Sequence, residues 1–170
     1  MTVSDYVQQR ETSSVSQNKS DSVLSQTSTD AKFSWTEGTP RTSYSAGKTV
    51  SLGDYQFARV GVIIEVEHSL EQESNAFEVV KYLSNEICLQ EEASILKQER
   101  EVQDFRDGGF RKFRITLDYG LTLKTGRFDS AKVDIALTRY ATLEDLKYVL
   151  KDMRAILSTR IQDEAISIKG

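Results

Sequence analysis

The chain has 170 residues, 38% of them apolar, a net charge of −4 and one cysteine. That length holds one domain or two very small ones. A lone cysteine, Cys88, excludes an internal disulfide and suits a reducing, cytoplasmic setting, the acidic balance excludes a surface that binds phosphate all over, and no apolar run is long enough to span a bilayer.

Residues 1–45 are rich in Ser, Thr and Gln, with scarcely any clustered aliphatics. Such a segment buries too little surface to offset the entropy of ordering, and it reads as a disordered tail. It lacks the basic start and apolar run of a secretory signal. Residues 46–170 carry normal core content and read as a single α+β domain. At 45–49 the stretch "SAGKT" invites comparison with a phosphate-binding loop. The glycine that such a loop needs five residues before its Gly-Lys pair is Thr42 here, and a strand follows where a helix should.

The next elements repeat. "GDYQFARVGVIIEV" at 53–66 and "GRFDSAKVDIALTR" at 126–139 share a glycine, an aromatic two residues on, Ala, a base, Val and then alternating apolar positions. An offset of 73 aligns Gly53 with Gly126, Tyr55 with Phe128, Arg59 with Lys132 and Val60 with Val133. Each copy, 46–105 and 110–165, reads as strand, strand, helix. In the first, a short strand over Thr49–Leu52 leads into Gly53, and a return strand places Val60, Val62, Ile64 and Val66 on one face. His68 follows among four glutamates and reads as a solvated loop residue rather than a metal ligand or base, with no second histidine to help it. Ser69 and Gln72 resemble a capping box. The helix after them carries Phe77, Val80, Leu83 and Ile87 as its stripe and extends through Ile95 toward Val102 and Asp104. Cys88 lies among apolar helical positions and reads as a small buried hydrophobe.

"DGG" at 107–109 breaks the chain between the copies. In the second copy Phe113–Lys124 alternates strictly and reads as a half-buried strand. After Thr142 a helix carries Leu146, Val149, Leu150, Met153, Leu157 and Ile161. The expected fold is a four-stranded antiparallel sheet with two helices on one face and the other face open.

Charge is unevenly spread. Residues 65–104 hold 11 acids and 3 bases, whereas residues 105–170 hold 13 bases and 9 acids. Arg59 and Lys132 are equivalent in the two copies and point away from the helices. With Arg114 and Lys124 they form a basic strip on the open face, interrupted by Glu65, Asp118 and Asp134. The stretch "FRDGGFRKFR" at 105–114 adds Arg111 and Lys112, with Phe110 as a stacking candidate. Bases that meet phosphate beside aromatics that stack on nucleobases are the means of single-strand binders. No base and nucleophile pair supports catalysis, and no residue set calls for a cofactor or metal. The leading expectation is a non-enzymatic accessory protein that binds single-stranded nucleic acid. The alternative is a structural or adaptor protein that uses the open face or the long acidic helix in a homo-oligomer or larger assembly.

The phrase "SLGDYQFARVGVIIEV" resembles one in small uncharacterised proteins of phages and related mobile elements. The resemblance implies a non-enzymatic accessory role and assigns no functional residue.

Overall fold

The computed structural model describes Trp35 and residues 37–100 and 108–170. The order is β1 (Arg41–Gly53), β2 (Gln56–Glu67), a 3-10 turn at Leu70–Gln72, α1 (Glu73–Ile95), β3 (Phe113–Lys124), β4 (Ser130–Ala141) and α2 (Leu146–Lys169). The four strands form one antiparallel sheet in the order β1-β2-β3-β4. Helix α1 packs on β1 and β2, and α2 packs on β3 and β4. This is the expected tandem ββα layer.

The repeat holds to the level of register. Arg41 opposes Glu67 as Arg114 opposes Tyr140. Thr49 opposes Arg59 as Thr122 opposes Lys132, and Ser51 opposes Phe57 as Lys124 opposes Ser130. Every one of these pairs obeys the 73-residue offset. The strands alternate because one face alone is covered. Val60, Val62, Ile64 and Val66 of β2 and Phe113, Ile115 and Leu117 of β3 are buried against the helices. Each such side chain contributes about 1.5–3 kcal/mol, so a one-residue slip would expose the whole file and is strongly disfavoured.

Three features differ from the sequence reading. Strand β1 begins at Arg41, not Thr49. Its first half is an edge with Thr42, Tyr44 and Ala46 toward α1 and serines outward, which gives it the composition of a tail. The proposed tail boundary at residue 45 therefore falls inside a strand, while residues 1–34 lie outside the described residues. "SAGKT" is extended and hydrogen-bonded to β2, with Gly47 opposite Gly61, so it makes no phosphate loop.

Helix α1 ends at Ile95. Lys97 is left-handed (φ 55°), Gln98 N–H donates to Ala93 O at 2.8 Å and Lys97 N–H to Ser94 O at 3.2 Å. That is a Schellman stop with lysine at the position usually held by glycine. The long helix does not project beyond the sheet as a docking arm; Val102 and Asp104 lie outside the described residues. Within α1, Phe77 is half-exposed at the flank and meets the ring of Tyr44 edge-on at 6.1 Å. The capping box is present, with Ser69 N–H donating to Gln72 Oε1 at 3.1 Å. Thr142 caps α2 by accepting from Asp145 N–H at 3.2 Å.

His68 is 5% exposed rather than solvated. Its Nδ1 is hydrogen-bonded with Ser69 O at 2.8 Å and its Nε2 with the Thr42 hydroxyl at 2.7 Å. The imidazole fastens the start of β1 to the end of β2. Cys88 is buried, as read from sequence, and burial pushes its thiol pKa up.

Candidate nucleic-acid interface

The hairpins β1–β2 and β3–β4 turn at the same end of the sheet. Their tips are built differently. Gly53 (φ 84°) leads into a two-residue turn in which Asp54 (φ 49°) and Tyr55 (φ 61°) are both left-handed. Such a turn matches the strand twist and strongly prefers glycine at its second position. The second turn is wider: Thr125 N–H and Gly126 N–H both donate to Asp129 O at 3.0 and 3.3 Å. Gly126 is thus not the left-handed counterpart of Gly53.

Both tips nevertheless present an aromatic side chain to solvent. Tyr55 is 81% exposed and Phe128 is 90% exposed. Each has a cation over its ring. Lys124 Nζ lies 5.8 Å from the Tyr55 centroid, and Arg127 Cζ lies 5.4 Å from that of Phe128. Lys124 belongs to the second hairpin and Tyr55 to the first, so this contact joins the two tips. Phe57 and Leu52 beside them are also exposed. Lys132 opposes Thr122 one row below and is exposed. Among the described residues, Lys124, Arg127 and Lys132 form no ion pair.

The predicted basic set is divided by the fold. Lys124 and Lys132 are at the hairpin end. Arg111 and Lys112 are exposed just ahead of β3, at the opposite end of a strand about 40 Å long. The two arginines between them point to the open face, as expected, but each meets a carboxylate. Arg59 Nη2 is 2.5 Å from Asp134 Oδ1, and Arg114 Nη1 is 3.5 Å from Glu65 Oε1. Phe110 is the clear correction. It is 6% exposed and belongs to the core under the helices, so it has no face free for stacking. Its apolar ring gained more from burial than the basic neighbours could gain from holding it in water.

The chain itself crosses the open face at one end, where Trp35 touches residues of both edge strands. Trp35 lies 5.9 Å from Tyr140, ring centroid to centroid, with Arg41 Cζ 5.2 Å over its ring. The indole N–H is buried there without a hydrogen-bond partner among the described residues. This is the Arg114 end, and the hairpin end is left uncovered by any described residue.

On the helix side a polar cluster joins the layers. Glu91 of α1 is fully buried. It accepts from the Tyr119 hydroxyl of β3 and from Arg154 of α2, whose Nη2–H reaches Oε1 at 2.6 Å. Burial and then the Glu91 carboxylate push the Tyr119 pKa up, and the hydrogen bond to Glu91 raises that of Arg154. A cavity of about 140 Å³ adjoins it, lined in part by Tyr119, Ile95, Ser158 and Ile161. That is below the about 300 Å³ of ordinary small-molecule sites, and the cluster acts as a tie between helices and sheet. Among the described residues no group of His, Cys, Asp and Glu could hold a metal ion, and no helix is long and apolar enough to cross a membrane.

Sequence reasoning aligned Tyr55 with Phe128 but assigned them no role. The signal was there: a repeated aromatic two residues after a turn glycine belongs to neither strand's core face. Compared with known proteins, the chain matches no family model, no curated protein and no solved structure. Its class therefore rests on architecture: a two-layer α+β module of two register-matched ββα units with aromatic and basic side chains gathered at the hairpin end.

Proposed function

We propose that the chain is a non-enzymatic binding module for single-stranded nucleic acid, and that its contact surface is the hairpin end rather than the whole open face. Tyr55 and Phe128 stack on bases, and Lys124, Arg127 and Lys132 meet phosphates. The observation that carries this reading is Tyr55. It is a large aromatic, largely in solvent, in a left-handed position that disfavours any residue with a Cβ. Neither core packing nor turn chemistry calls for tyrosine there, and strain of this kind collects at functional sites.

The test is anisotropy of labelled single-stranded DNA and RNA oligonucleotides across a salt series, with a duplex as control. Affinity should fall linearly in log–log form with salt, and Lys124→Ala or Lys132→Ala should each lower the slope by about 0.7. Tyr55→Ala and Phe128→Ala should each weaken binding by about 5- to 100-fold at unchanged slope. No binding at low salt, or affinity indifferent to salt, removes the proposal.

A second reading, a protein contact on the open face, draws on the middle of the sheet. There Ile63 is 41% exposed beside the small residues Gly47, Gly61 and Ala136. Arg59 and Arg114 are already paired nearby, and Asp118 is the acid that lies between Gly61 and Ala136. Salt-insensitive capture of a protein partner, lost in Ile63→Glu, would favour this reading.

A further inference from the structure

The sheet contains one junction between repeats, β2 against β3, and leaves two edges that are the counterparts of that junction. Strand β4 is the repeat equivalent of β2, and β1 is the equivalent of β3. We propose that copies of this chain join edge to edge, β4 of one against β1 of the next, in the register of the internal β2–β3 junction.

The register follows from the 73-residue offset. Internally, Arg59 opposes Gly120, Val62 opposes Leu117 and Ile63 opposes Thr116. Between copies, Lys132 opposes Gly47, Ile135 opposes Tyr44 and Ala136 opposes Ser43. The strand directions agree, since β4 and β1 would be antiparallel as β2 and β3 are.

Three observations support the fit. First, Gly120 lies beneath the Arg59 side chain, where an added Cβ would come within 2.9 Å of the guanidinium nitrogens. Gly47 is its repeat equivalent, yet a Cβ there would meet nothing closer than Val60 O at 3.5 Å. A glycine inside a strand weakens it, and nothing among the described residues requires this one. Across the proposed junction, Lys132 of the neighbour crosses Gly47 as Arg59 crosses Gly120. Second, apolar side chains wait half-buried at both edges. Tyr44 and Ala46 flank β1, and Ile135 with Val149 and Ile156 of α2 flanks β4. The register sets Ile135 against Tyr44 on the helix side. Third, both edges are long, with 13 and 12 residues. Their only irregularity is next to the β1–β2 turn, between Ser51 and Gly53. Long unguarded edges are templates for strand pairing.

The contact is heterologous, so it closes into a ring or runs on as a filament. It uses the lateral edges and not the hairpin tips; Lys132 is the one residue common to it and the nucleic-acid reading, and the cross-link that tests it does not involve Lys132.

The decisive experiment is a designed cross-link. Ser43 and Ala136 are both exposed. Within one chain they lie on opposite edges, three strand spacings apart sideways and four residues apart along the strands, about 20 Å in all. Between copies they are directly opposed, with Cβ atoms about 4.5–5.5 Å apart. The double variant Ser43→Cys/Ala136→Cys should oxidise to a ladder of covalent multimers. Each single variant should give dimers at most, and the displaced pair Ser43→Cys/Thr138→Cys should give far less ladder.

Light scattering of the native chain should show mass rising with concentration. Ala46→Arg and Ile135→Arg should each abolish that rise, and their equimolar mixture should form a one-to-one dimer through the remaining good edges. Should either arginine variant fail to fold by circular dichroism, the cross-link decides alone. A native chain that stays monomeric at all concentrations, or a double-cysteine variant no richer in multimers than the single ones, overturns the proposal.

Discussion

Arg59 Nη2 stands 2.5 Å from Asp134 Oδ1 although β3 lies between the strands that carry them. The bridge passes over Gly120 because only a residue without a side chain leaves it room. Gly120→Ala should displace both side-chain ends while the backbone holds, since Gly120 is not left-handed. The pair is about one-third exposed, so its worth is small, about 0–1 kcal/mol. Gly120→Ala should lower stability by about 1 kcal/mol, Asp134→Asn by less, and the double variant by less than their sum. Urea midpoints check this. Additive losses would mean that the glycine serves something other than the bridge.

Tyr55 offers the sharpest separation of stability from function. A left-handed non-glycine residue costs about 1–2 kcal/mol, and Tyr55 has little core contact to offset it. Tyr55→Gly should therefore raise the thermal midpoint while weakening oligonucleotide binding. A variant that loses stability would show that the ring supports the fold, which would take away the main argument for the hairpin end.

Alkaline pH should lower the stability of the chain in two steps. Cys88 is raised by burial, and Tyr119 is raised by burial and then by Glu91. Both are held neutral in the folded chain, whereas the unfolded groups ionise near about 8.5 and about 10. A folded pKa above the unfolded one gives stability that is complete below the unfolded value and is lost as pH rises. Denaturation midpoints from pH 7 to 11 should fall first with Cys88 and then with Tyr119. Cys88→Ala should delay the onset. Tyr119→Phe should flatten the limb above pH 10, at a cost of about 1 kcal/mol at neutral pH for the lost hydrogen bond.

Glu91 should be the most sensitive polar position of the described core. Glu91→Ala leaves the Tyr119 hydroxyl and the Arg154 guanidinium without their acceptor. Breaking a buried pair costs about 3–5 kcal/mol, and the low end applies because Arg154 is 26% exposed and can turn to water. Arg154→Met on top of it should recover part of the loss. A single-variant loss below about 0.5 kcal/mol by urea denaturation would show that the cluster does not tie the layers.

The legible parts of this chain were the local ones. Phe113–Lys124 alternates on two faces in sequence because one face is covered in space, and the 73-residue offset is visible because both hairpins keep the same register. The first half of β1 was hidden. An edge strand needs few apolar residues, so "RTSYSAGK" has the composition of a tail. His68 and Glu91 were hidden for another reason. Each is buried only because its partner, Thr42 or Arg154, comes from a distant element. The neutralisation of Arg59 and Arg114 likewise depends on which strands become neighbours. At the hairpin tips the repeat aligned Tyr55 with Phe128, and only exposure distinguished these two rings from Phe110.

The meeting of β2 with β3 also sets a timetable for folding. Each hairpin closes on its own short turn and can zip without help, whereas Val60 finds Tyr119 only after the chain has travelled the whole of α1 and returned. Loop closure of that length delays the contacts it encloses. The expected order is that each half takes shape first and the two merge at the rate-limiting barrier; truncating Val62 or Leu117 at the seam should then slow folding, while truncating side chains at the outer strands should chiefly hasten unfolding.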